Sequence, residues 1–81
     1  MKKIIVMRDT DTNDTVAVCD ATSMCNATDY VKCVKACAEH ADWTISNEDA
    51  LGIAERLKIT GGAYDDCYMF MIVDLEDALK V

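Results

Sequence analysis

Apolar residues occupy both alternating sets of positions between Lys3 and Arg8, and this predicts a strand buried on its two faces. Ile4 and Val6 share one side, Ile5 and Met7 the other. A strand of that kind belongs in the middle of a sheet. Asp9 to Asp14 reads Asp-Thr-Asp-Thr-Asn-Asp, a turn by composition, because such side chains bond to nearby backbone. Thr15 to Asp20 is a second strand, with Val16 and Val18 opposed to Ala17 and Cys19. The two strands are expected to form a hairpin with a longer loop.

The period then changes. From about Ala27 to Ala41, the residues Tyr30, Cys33, Val34, Cys37, Ala38 and Ala41 recur at helical spacing and form one apolar stripe. Asn26 or Thr28 can cap this helix, and Asp29 suits the positive end of its dipole. Asp42 to Ile45 is read as a short extended piece around Trp43. Ser46-Asn47-Glu48-Asp49 resembles a capping box, with Asp at the position that favours Glu or Gln. The second helix runs to about Ile59 on an inner stripe of Ala50, Ile53, Ala54 and Leu57, with Leu51 beside it. Gly52 within it suggests a close helix contact. Gly61 and Gly62 stop the helix. Cys67 to Val73 is the strongest strand, apolar on both faces. The segment after it fits a short helix or a return strand.

The order is β-β-α-α-β. It predicts one compact α+β domain over residues 1–81, a two-layer structure with a mainly antiparallel sheet and two helices packed on one face. The other sheet face would then present apolar side chains, Met69 and Met71 among them. Such patches mark interfaces, so a homodimer or a stable protein partner is expected.

Composition sharpens this picture. Of 81 residues, 52% are apolar, more than so short a chain hides easily. There is no Pro and there are three Gly, so linker-like stretches are absent. The apolar run after Lys2 and Lys3 meets Arg8 too soon for an export signal, and no run reaches membrane-spanning length. Five cysteines is an odd number, which suggests reduced thiols in a cytoplasmic protein rather than a disulfide framework.

The formal charge is −7, which argues against direct binding to nucleic acid and favours a basic protein partner. Asp9, Asp11, Asp14, Asp65 and Asp66, all expected in loops, are the candidate partner-binding positions. Carboxylates on a rigid scaffold can imitate phosphate charge and compete for Lys and Arg. Small acidic inhibitors encoded by phages, including anti-defence proteins, have this general size and charge.

Other chemistry is weaker. Cys33, Cys37 and His40 fall on neighbouring turns of one helix, and Cys19 and Cys25 lie upstream. These are residue types that zinc favours, in a metal-dependent regulatory module. The C-x5-C-x7-C-x3-C-x2-H spacing lacks a tight knuckle, however, and Cys33 and Cys37 lie on the core stripe. Asp9, Asp11, Asn13 and Asp20 follow the rhythm of a calcium loop, but Asp14 stands where that loop needs Gly. The single His has no catalytic partner by pattern, and no C-x-x-C spacing or phosphate loop occurs. The expectation is therefore a non-enzymatic protein without a cofactor.

Overall fold

A computed structural model of the chain describes residues 3–23, 26–65 and 67–74. The expectations for Cys25, Asp66 and the segment after Asp74 lie outside the described residues.

The element order is β1 (Lys3–Asp9), β2 (Thr15–Asp20), α1 (Ala27–His40), α2 (Asn47–Thr60), β3 (Gly62–Asp65) and β4 (Tyr68–Asp74). The strands form one antiparallel sheet in the order β2-β1-β4-β3. β1 is central, as its two apolar faces required. The α+β class and the two helices are as expected. One strand is added: β3 is four residues long and follows directly on the glycines that end α2. So short an edge strand leaves little periodicity to read.

Local chemistry sets the helix ends. The Asn26 side chain accepts from Asp29 N at 3.1 Å, and the Ser46 hydroxyl accepts from Asp49 N at 3.1 Å. Each satisfies a donor that has no partner within the first helical turn. Gly61 closes α2 at φ 79°, and its N–H donates to Leu57 O at 2.9 Å. α1 ends differently. Trp43 N donates to Ala38 O at 2.8 Å and Asp42 N to Glu39 O at 3.0 Å, with Asp42 itself at φ 59°. This is the Schellman arrangement with Asp where Gly is usual. The stretch around Trp43 is thus a helix cap and not a strand. It carries the indole onto β4, 4.8 Å from the Tyr68 ring and 6.4 Å from Phe70.

Register decides which residues share a face. Ile5 pairs with Cys19 and Ile72, and Met7 with Ala17 and Phe70. That face meets the helices. Its core holds Ile5, Met7 and Phe70 against Cys33, Val34, Cys37, Ile53 and Leu57, all at most 2% exposed. Burying side chains of this size contributes about 1.5–3 kcal/mol each. Leu51, expected beside the inner stripe of α2, points outward and is 44% exposed. The expected close helix contact at Gly52 is also absent: an added Cβ there would meet nothing within 4 Å.

Candidate functional site

Three features of the folded chain bear on function: an acidic end, an open sheet face and a sulfur pair. The acidic end is built by two turns. In the β1–β2 turn, Asp9 Oδ1 accepts from Asp11 N at 2.8 Å and from Thr12 N at 3.3 Å. Asp9 N donates to Asp14 O at 3.0 Å, and Asn13 takes a positive φ of 61°. Asp9 therefore serves its own turn, which accounts for the calcium-like rhythm as hairpin geometry. Asp11 and Asp14 are exposed.

The β3–β4 turn lies alongside. Thr10 donates to Cys67 O twice, from its backbone N at 2.9 Å and from its hydroxyl at 3.1 Å. Asp9 is also the register partner of Tyr68, which pairs with Asp65. Two acidic segments more than fifty residues apart in sequence thus share one end of the sheet. The structure brings Asp9, Asp11, Asp14 and Asp65 to that end; Asp66 lies outside the described residues.

The second feature is the sheet face turned away from the helices. By register it carries Ile4, Val6 and Arg8 from β1, Val18 and Asp20 from β2, Met69, Met71 and Val73 from β4, and Tyr64 from β3. Val18 is 55% and Tyr64 68% exposed, while Met69 and Met71 are half-buried. Val6, at the centre, is 7% exposed yet stands outside the cluster that meets the helices. The Nε of Arg8 is buried there without a hydrogen-bond partner. No described element covers this face.

The sulfur pair corrects an expectation. Cys19 on β2 and Cys33 on α1 are joined as a disulfide, with their Cα atoms 6.1 Å apart. The structure thus pairs two of the thiols that the odd count suggested were reduced. Neither the even-number rule nor the spacing points to the pair; only the packing of α1 on β2 does.

That bond also bears on the zinc set. Cys33 is spent in the disulfide, Cys37 is buried in the core, and His40 is exposed at the end of α1. Burial pushes the Cys37 thiol up to about 11, which opposes the thiolate that zinc requires. The three are not brought together as a ligand set, and no group of three or more metal-ligating side chains occurs among the described residues.

Sequence reasoning also missed a shallow groove of about 350 Å³ lined by Lys35, Glu39, Asp42, Trp43, Thr44 and Ile45. The Schellman turn creates it by folding Trp43 back under α1. Lys35 Nζ donates to Asn47 Oδ1, tying α1 to the start of α2 beside the groove. Among the described residues, no helix is long and apolar enough to cross a membrane. Comparison with protein-family models, curated proteins and solved structures finds no match for this chain.

Proposed function

We propose that this protein is a non-enzymatic interaction module whose acidic turns engage a basic surface of another protein. The observation that carries the reading is the pair of Thr10–Cys67 hydrogen bonds, which holds two carboxylate-bearing turns side by side. Charge on a fixed frame attracts Lys and Arg at a smaller entropic cost than charge on a mobile loop. A partner whose groove ordinarily holds nucleic acid suits such an end, and the consequence of binding is inhibition by competition. Phage-type anti-defence proteins would act in this way.

Asp11, Asp14 and Asp65 are the positions to test. Each is changed to Lys, singly and together, and capture of basic proteins is compared with wild type at low and high salt. The triple variant should lose the captured protein, and added salt should release it from wild type. Retention by the triple variant with unchanged salt response refutes the reading.

The open sheet face favours a second element of the proposal, assembly of the protein as a homodimer. Apolar patches of this kind are often contact surfaces. Met71→Glu places a charge in its middle and should abolish assembly while leaving the acidic end intact.

A further inference from the structure

We propose that the open sheet face pairs with the same face of a second copy about a two-fold axis running across the strands, setting Arg8 of each copy against Asp20 of the other. This rests on the homodimer reading and specifies its geometry. A two-fold interface must be complementary to itself. The face meets that condition through its order of charge. Arg8 lies at the hairpin end of β1. Val6, Val18 and Met71 form one cross-strand row in the middle. Asp20 sits at the far end, paired with Ile4. Cation, apolar row and carboxylate thus follow one another along the strands.

Rotation about an axis through the middle row exchanges the two ends. Arg8 and Ile4 are separated by about 13 Å along β1, at about 3.4 Å per residue. The rotation sets Arg8 of one copy over Ile4 of the other, and Asp20 is one strand over, about 4.8 Å to the side. Sheets packed face to face stand about 10 Å apart, a gap that the long arginine side chain spans. An axis running along the strands would instead bring the two Arg8 side chains to the same end of the interface, which like charge disfavours.

Residue type agrees: Arg8, Tyr64, Met69 and Met71 are of the kinds enriched at protein interfaces. The four strands span roughly 20 Å by 20 Å, about 400 Å² per copy, so the contact falls below the standard interface size and the dimer should be weak and transient.

The test is sedimentation equilibrium of the full chain over a range of concentrations, with circular dichroism of each variant to check its fold. Arg8→Asp and Asp20→Arg should each weaken the dimer on the order of tenfold. An equal mixture of the two variants should restore dimers, because each copy then supplies the charge the other needs. That rescue distinguishes a pair between copies from one within a copy. If either variant fails to fold, Arg8→Gln and Asp20→Asn replace them, and both should remove the salt sensitivity expected of the wild-type dimer.

A wild-type chain that stays monomeric at high concentration overturns this inference and the homodimer reading together. A wild-type dimer indifferent to the charge changes, or weakened by them without rescue in the mixture, overturns the pairing and leaves the homodimer standing.

Discussion

Reduction of the Cys19–Cys33 bond should cost this domain a large part of its stability. The two residues are 14 apart in sequence. A bridge closing a loop of that length removes unfolded-state freedom equivalent to about 3 kcal/mol. A domain of 81 residues has roughly 4–12 kcal/mol in total, from about 0.05–0.15 kcal/mol per residue. Reduction therefore takes between a quarter and three quarters of it. The loss falls on β2, which among the described strands pairs with β1 alone and packs against α1. The assay is urea denaturation with and without a phosphine reductant. With a slope of about 1 kcal/mol per molar urea, the midpoint should fall by about 3 M. Cys19→Ala should show the same low midpoint under both conditions, while Cys37→Ala and Cys67→Ala should keep the difference. Native alkylation followed by mass analysis should modify Cys67 and spare Cys19 and Cys33. Equal midpoints with and without reductant, or alkylation of Cys19 and Cys33 in the unreduced protein, would show that the bond does not form or does not stabilise the fold.

Gly61→Ala should destabilise by about 1 kcal/mol through backbone strain alone, since an added Cβ there touches nothing within 4 Å. Asp42→Gly should shift the urea midpoint the other way by a fraction of that, because Asp tolerates the left-handed conformation better than most residues. Phe70→Ala, at the fully buried centre of β4, should cost about 3–5 kcal/mol and leave little folded protein. For pH, the Cys37 thiol is raised from 9.0 to about 11 in the folded chain. Above pH 9 the unfolded chain therefore loses this proton first, so stability should decline between about pH 9 and 11. Cys37→Ala should flatten that part of the stability profile.

The acidic end shows why the candidate site was only half legible from the chain. Composition and loop chemistry pick out Asp9, Asp11, Asp14 and Asp65 as turn residues. They say nothing about the distance between the two turns, which depends on β1 pairing with β4 in a register that sets Asp9 opposite Tyr68. The cysteines make the same point more sharply. Cys33 and Cys37 are equivalent by helical spacing, yet one is bonded to β2 and the other sits as a free thiol in the core.

Elements whose causes are local can be read along the chain. Short apolar runs bounded by turn residues defined β1, β2 and β4, helical periodicity defined the buried stripes of α1 and α2, and Asn26, Ser46 and Gly61 marked helix ends through their own hydrogen bonding or backbone freedom. Features that depend on residues far apart in the chain emerge only in the folded molecule. Strand order placed β1 between β2 and β4. Register joined the two acidic turns and arranged Arg8, the apolar row and Asp20 on one open face. Helix packing chose Cys19 as the partner of Cys33. The physical reason is range: periodicity and capping act over a few residues, whereas pairing and burial are settled by the simultaneous fit of segments that no local pattern relates.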